Sequence, residues 1–108
     1  PEWADEVALY RATLRDLPLN AKAHHNLAHA LGSDASTADE RERLLRTAAR
    51  LYPDYASAWN NLGVVLIQRD GPGDLEAAIE AWREGVAAAR RAPVVGGTGA
   101  MLQRNLQR

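Results

Sequence analysis

The chain has 108 residues, of which 46% are hydrophobic, and its formal net charge is -1. This near-neutral charge gives no basic surface for nucleic acid or for an anionic membrane, so we expect no nucleic-acid partner and no membrane contact by this segment. Cysteine is absent, which excludes disulfides, thiol catalysis and zinc sites built on cysteine. The first residue is Pro1 and no signal peptide follows it, so we expect the chain to be part of a larger protein.

Strong helix formers dominate the sequence, and no segment alternates apolar and polar residues over the length of a strand. We therefore predict an all-α protein with about six helices. In chain order, the predicted helices cover residues 3–16, 21–31, 38–51, 55–69 and 75–91, followed by a short helix from about residue 99. Suitable N-cap residues precede four of these helices: Asn20, Thr37 (with Glu40 three residues later, a capping-box pattern), Asp54 and Asp74.

The sequence repeats itself after 35 residues. Residues 18–28 (PLNAKAHHNLA) align with residues 53–63 (PDYASAWNNLG), and the Asn-Leu pair of both segments returns at residues 105–106. Each copy holds two predicted helices, and a period near 34 residues with two helices per period is typical of tetratricopeptide repeat (TPR) arrays.

The residues at the key positions also resemble this family, which places bulky and small side chains at fixed points of both helices. The matching residues are Trp59, Leu62, Gly63 and Leu66 in one first helix, Ala78, Trp82 and Gly85 in the second helix after it, and Leu45, Ala48 and Pro53 in the preceding copy. The resemblance implies a solenoid of stacked helical hairpins, coiled as a right-handed superhelix, that binds other proteins. Two residues depart from the pattern: Arg41 stands where Ala is usual, and His24 replaces the first-helix aromatic residue.

The repeat pattern divides the chain into one continuous array. Residues 1–18 form a half repeat (a second helix), residues 19–53 a full repeat, residues 54–93 a full repeat with a lengthened turn at Gly71-Pro72-Gly73, and residues 94–108 the start of a further repeat. Because each hairpin needs neighbours on both sides to bury its apolar faces, the two exposed repeat ends could also support self-association.

The opening segment resembles one TPR subfamily more closely. Pro1-Glu-Trp3, Leu9-Tyr10-Arg11 and residues 18–22 look like the start of the repeat region in the transmembrane TPR-containing O-mannosyltransferases. That resemblance implies a domain in the endoplasmic-reticulum lumen, within an enzyme that mannosylates cadherin-type proteins and whose catalysis lies elsewhere. Without it the location is unknown, with the cytoplasm as the default.

In TPR proteins the first helices line a concave groove that holds a protein or an extended peptide. By resemblance, the groove residues are Lys22, His25, Asn26, His29, Ser57, Asn60, Asn61, Val64 and Gln68. Asn26, Asn61 and Asn105 form a recurring column, and an asparagine amide can both donate to and accept from a peptide backbone. The TPR region of the O-linked N-acetylglucosamine transferase uses such a ladder. The alternative is that these side chains bond within their own repeats.

Other site types receive less support. His25 and His29 share a helical face, but no third ligand lies nearby on it, so we interpret the pair as part of a polar groove. A carboxylate clamp would have only Lys22, Asn26 and Arg104 to draw on. We predict no catalytic residue, no metal and no cofactor for this chain. The leading hypothesis is a protein- or peptide-binding TPR scaffold module, and the alternative is a luminal accessory domain of an O-mannosyltransferase that presents substrate.

Overall fold

The computed structural model of the protein describes residues 2–91, with side chains from residue 5 onward. This part contains five α-helices and no strand: α1 (Glu2–Asp16), α2 (Ala21–Ala30), α3 (Ala38–Leu51), α4 (Ala56–Arg69) and α5 (Asp74–Arg91). A short 3-10 turn, Ala35–Thr37, precedes α3. The all-α prediction is confirmed, and each predicted helix end in this range lies within one residue of the observed one. The predicted helix from residue 99, the start of a further repeat at 94–108, Arg104 and Asn105 lie outside the described residues.

Each helix packs against the next one in the chain, from α1 on α2 through to α4 on α5. Four leucines fill the layer between the helices and are almost completely buried: Leu27, Leu45, Leu62 and Leu66. Burying a side chain of this size stabilises the fold by about 1.5–3 kcal/mol relative to leaving it in water. Buried alanines such as Ala48, Ala58 and Ala78 lie between them, where a larger side chain would hold the helices apart. The fold is therefore an all-α helical-hairpin repeat, as predicted.

The second full repeat pairs each of its helical glycines with a tryptophan. A Cβ atom added to Gly63 would lie 2.1 Å from Nε1 of Trp82, and one added to Gly85 would lie 3.2 Å from Cβ of Trp59. The indole N–H of Trp82 crosses α4 at this point and donates to the Asn60 carbonyl at 3.2 Å. These contacts explain why small residues alternate with bulky ones at the family positions.

His24 makes the same contact as the tryptophan that it replaces. Nε2 of His24 donates to the carbonyl of Pro18 at 2.8 Å, and Nε1 of Trp59 donates to the carbonyl of Pro53 at 3.0 Å. Both the donors and the acceptors are 35 residues apart. The two repeats therefore keep the hydrogen bond that fastens the first helix to its preceding turn, although the ring has changed.

The capping prediction gives the observed N-cap residue at Asn20 and at Thr37, and it is wrong at Asp54 and Asp74. Oδ1 of Asn20 accepts from the Ala23 amide at 3.0 Å, as an N-cap should. The Thr37 side chain makes no cap bond, because its hydroxyl donates to the Asp34 carbonyl at 2.9 Å. Asp54 lies one residue before the N-cap Tyr55 and binds Arg91, and Asp74 is already the first residue of α5.

The connection between the helices of a repeat differs in the two copies. Residues 31–37 connect α2 to α3, whereas residues 70–73 connect α4 to α5. The first helix is correspondingly longer in the second copy, with 14 residues in α4 against 10 in α2. The longer first helix is thus offset by a shorter connection, so the turn at Gly71-Pro72-Gly73 is not lengthened as predicted. The additional residues lie mainly in the second helix, which has 18 residues in α5 against 14 in α3.

Candidate functional site

Two adjoining cavities lie along the groove between α2 and α4, the first helices of the two full repeats. The first, the Arg41 cavity, has a volume of about 320 Å³ and is lined by Ala28, His29, Gly32, Ser33, Arg41, Leu45, Asn61, Val64, Val65 and Gln68. The second, the Asn60 cavity, has a volume of about 540 Å³ and is lined by His25, His29, Ala56, Ser57, Asn60 and Asn61. His29 and Asn61 belong to both cavities, so the two form one continuous groove.

Most of the predicted groove residues line this surface. His29, Asn61, Val64 and Gln68 line the Arg41 cavity, and His25, His29, Ser57, Asn60 and Asn61 line the Asn60 cavity. Lys22, which is exposed, and Asn26, which is half-buried, line neither. Their binding role stays a prediction.

His25 and Asn61 hold the two repeats together across the groove floor. The Nδ2 amide of Asn61 donates to Nε2 of His25 at 2.9 Å, which places the imidazole proton on Nδ1. The ring also packs on Tyr55, with 5.0 Å between the ring centroids. Burial lowers the pKa of His25, since a charged ring would lose solvation here. One asparagine of the predicted column thus forms a contact between repeats as well as lining the groove.

Three polar side chains on α4 are exposed and open to a ligand. Within the described residues, the side chains of Ser57, Asn60 and Gln68 make no hydrogen bond, so their donors and acceptors face solvent. Val64 lies between them along the helix and is also exposed. The groove therefore offers amide and hydroxyl groups beside an apolar contact, which is the chemistry that holds an extended peptide.

Arg41 also lines the groove, although the sequence did not predict it as a groove residue and showed only that it replaces the Ala usual in the TPR family. Its side chain reaches the Arg41 cavity from α3 and is 4% exposed. Nε donates to Oγ1 of Thr37 and Nη2 donates to the carbonyl of Asp34, both at 2.9 Å. Among residues 5–91, no carboxylate lies within salt-bridge distance of its guanidinium. The departure from the family pattern was the signal that could have identified it.

The described residues show neither a metal cluster nor a membrane-spanning helix. In this part of the chain, no three His, Asp or Glu side chains come together as metal ligands would. None of the helices α1 to α5 is both long and apolar enough to cross a bilayer.

Comparison with known proteins gives a specific resemblance. The chain is 43% identical over 63 residues, 58% of its length, to protein O-mannosyl-transferase TMTC1 of Homo sapiens and to its Mus musculus counterpart. It is also 43% identical over 54 residues, 50% of its length, to a protein O-mannosyl-transferase of Caenorhabditis elegans. No protein-family model matches the sequence.

The aligned part is a small fraction of each relative. The chain covers 7% of the human and mouse proteins and 8% of the nematode protein. The similarity therefore concerns a short segment of each relative. Within that limit, the predicted resemblance of this helical-repeat chain to the O-mannosyltransferases is confirmed.

Proposed function

We propose that this chain is a protein- or peptide-binding TPR module of a larger protein, and that its groove between α2 and α4 receives an extended segment of the partner. The observation that carries the proposal is the row of exposed, unbonded polar side chains at Ser57, Asn60 and Gln68 beside Val64. An extended peptide has backbone N–H and C=O groups that need partners when they leave water. Side-chain amides can supply both kinds of partner at once.

A more specific form of the proposal is that the larger protein is an O-mannosyltransferase. The 43% identity to proteins of that name supports it. In that setting the chain is a luminal accessory domain of the endoplasmic reticulum, and it presents protein substrate to a catalytic part outside this chain. The module itself supplies binding and orientation, which speed a reaction by holding the acceptor near the catalytic centre.

Site-specific photocrosslinking in the full-length parent tests the binding role. A benzophenone amino acid at Asn60 should crosslink to a cadherin-type acceptor, the substrate class that the resemblance implies. The same amino acid at Glu80, an exposed residue of α5 that lines neither groove cavity, is the matched control. If crosslinks formed from position 80 but not from position 60, the partner would bind outside the groove and the proposed binding site would be wrong.

Groove variants of the parent test the role in mannosylation. Asn60→Ala combined with Gln68→Ala should raise KM for the acceptor protein and leave kcat for a short acceptor peptide unchanged, because only the remote contact is lost. Both side chains are exposed, so neither change should disturb packing. Arg83→Ala on α5 is the control. If the groove variant had the same KM for the acceptor protein as the wild-type parent, the presenting role would be contradicted.

A further inference from the structure

Arg41 differs from the other buried charged side chain of the described residues. Asp74 is 5% exposed and binds Arg69 through two hydrogen bonds of 2.8 Å, so its charge is balanced. Arg41 is 4% exposed, and its two bonds go to a hydroxyl and a backbone carbonyl, which are neutral. The exposed Asp34 carboxylate lies near enough to interact with this charge, but its Oδ1 accepts from the Ser36 amide at 2.8 Å and it makes no salt bridge to Arg41.

A buried cation with neutral partners favours an incoming anion. Removing a charge from water costs several kcal/mol, and this cost is recovered only when an opposite charge with good hydrogen-bond geometry is close by. The guanidinium has five N–H groups, and the observed bonds occupy Nε and one hydrogen of Nη2. Within the described residues its other N–H groups have no hydrogen-bond partner, and Arg41 lines the cavity, so a carboxylate there could accept two of them in parallel.

The cavity also fits the rest of an acidic side chain. Its walls include Leu45, Val64 and Val65, which would contact the methylene groups of a Glu or Asp side chain. Asn61 and Gln68 lie on α4 at the same cavity, where they can meet the peptide backbone that carries this side chain. In the equivalent position of the next repeat, Ala78 is fully buried and brings no charge. Of the two full repeats, the first therefore has a buried arginine at this position and the second does not.

We propose that the Arg41 cavity is a specificity pocket for a Glu or Asp side chain of an extended peptide in the groove. The carboxylate binds the Arg41 guanidinium, and the stem of the side chain packs on Leu45, Val64 and Val65. This inference rests on the proposed peptide-binding function and adds to it the residue class that the groove selects.

NMR titration of the 108-residue chain with small probes tests the pocket directly. The probe is N-acetyl-glutamate amide, which mimics an internal Glu, and the matched probe is N-acetyl-glutamine amide. At constant ionic strength, the Glu probe should shift the Arg41 Nε–H resonance and the Gln68 amide in a saturable way, and the Gln probe should not. Equal responses to the two probes, or an equal response to sulfate, would overturn the assignment of a carboxylate pocket. A stronger response to N-acetyl-alanine, which carries a terminal carboxylate, would overturn the choice of a side chain.

Substitution separates a binding role from a structural one. Arg41→Met keeps an unbranched apolar stem but removes the charge. We expect it to weaken the affinity for the Glu probe at least about tenfold, because the hydrogen bonds between the carboxylate and a charged group are lost. Arg43→Met removes the same charge from the exposed side of α3 and should bind the probe as the wild type does. Circular dichroism tests whether each variant is folded. If Arg41→Met does not fold, Arg41→Lys, which keeps the charge and loses the planar fork, should still weaken the Glu probe, and unchanged binding in it would overturn the proposal.

The two proposals can fail separately. If the parent crosslinks through Asn60 while the Glu probe leaves Arg41 unchanged, the groove binds a partner but the acidic specificity is wrong. If the Glu probe binds at Arg41 while position 60 gives no crosslink, the pocket exists and the partner-binding function is wrong.

Discussion

His25 is a titratable group at the joint between the two full repeats. Nε2 of its ring accepts the Asn61 amide proton, so protonation of the ring would set two N–H groups against each other and break the bond. Nδ1 is buried and has no hydrogen-bond partner within the described residues. Burial lowers the pKa of His25, because a charged ring would lose its solvation in the folded protein.

We expect this histidine to make stability depend on pH. An unfolded chain protonates His near pH 6.5, so below about that pH it takes up a proton that the folded protein resists. The contribution of His25 is therefore complete above about pH 6.5 and is lost as the pH falls through its lower folded-state pKa. Urea unfolding across this range should show a decline in the free energy of unfolding that is smaller in His25→Gln. The control is His29→Gln, which removes an exposed imidazole from the same helix, α2. If His29→Gln and not His25→Gln reduced the decline, the explanation would be wrong.

Gly63 of α4 lies directly against the Trp82 ring. We expect Gly63→Ala to lower the free energy of unfolding by about 1–3 kcal/mol, the usual cost of overpacking, although Ala is the better helix former. The added methyl would lie 2.1 Å from Nε1 of Trp82 and would displace the ring from the Asn60 carbonyl. Gly85→Ala is the matched change, because its new methyl meets Trp59 at 3.2 Å and needs only a small shift. Denaturant melts followed by tryptophan fluorescence measure both. Equal stabilities of the two variants would argue against the tight contact.

The sequence could place these residues but could not supply all of their partners. The resemblance to the TPR family implied that Asn61 lines the groove, because that family has fixed groove positions on its first helices. Its contact with His25 depends on the angle between successive repeats, which the spacing does not determine. Arg41 was visible as an exception to the family pattern, whereas its burial depends on how residues 31–37 fold over it.

At the scale of helices, a cluster around Arg69 fastens α3, α4 and α5 together. Nη1 of Arg69 donates to Asp39 at 2.8 Å and to Glu42 at 2.6 Å, both on α3. Nε and Nη2 donate to the two carboxylate oxygens of Asp74, the first residue of α5. Asp74 also accepts from the Gly71 amide at 2.8 Å. These bonds close the short turn between α4 and α5 and attach it to the preceding repeat.

We expect the Asp74 carboxylate to contribute stability that is lost in acid. Arg69, together with the Gly71 amide, lowers the pKa of Asp74 to about 2, whereas an unfolded Asp titrates near about 3.9. The contribution is therefore present above about pH 4 and disappears as the pH falls through about 2. Asp74→Asn should be less stable than the wild type at neutral pH, and the difference should shrink over that acidic range.

Thermal unfolding followed by circular dichroism measures this difference. Asp70→Asn changes an exposed carboxylate in the same turn, and it should not destabilise the protein at neutral pH. A difference between Asp74→Asn and the wild type that persisted unchanged below pH 2 would show that the lost charge is not its cause.

Helix ends were more predictable than the bonds that stabilise them. Pro18, Pro53 and the helix-forming composition determine where helices can run, so the observed ends lie within one residue of the predicted ones. The caps at Thr37, Asp54 and Asp74 depended instead on competing partners. Arg91 of α5 binds Asp54 and Arg69 of α4 binds Asp74, whereas the Thr37 hydroxyl bonds to Asp34 and Arg41, which lie within four residues of it. These contacts override the local preference for a cap bond.

At the scale of the whole array described by residues 2–91, α5 presents an apolar face beyond the second full repeat. Leu75 and Val86 are 55% and 53% exposed, and Ile79 and Trp82 on the same helix are also exposed. In the preceding repeat, the second-helix residue Leu45, which occupies the family position of Trp82, is buried in a core that α4 completes. The face on α5 is therefore the place where the first helix of another repeat would stack.

We expect isolated copies of the chain to associate through this face. A second copy carries exposed leucines at its opposite end, Leu9 and Leu17 among them, so end-to-end contact would join two unlike surfaces. A heterologous contact that continues the helical array does not close, so the mass should rise steadily with concentration instead of stopping at a dimer. Sedimentation velocity over a concentration series measures this. Val86→Glu should abolish the increase because it places a charge in the contact, and Val64→Glu, which puts the same charge in the groove, should leave it unchanged. A chain that stays monomeric throughout, or a Val86→Glu variant that associates like the wild type, would show that α5 is not the contact surface.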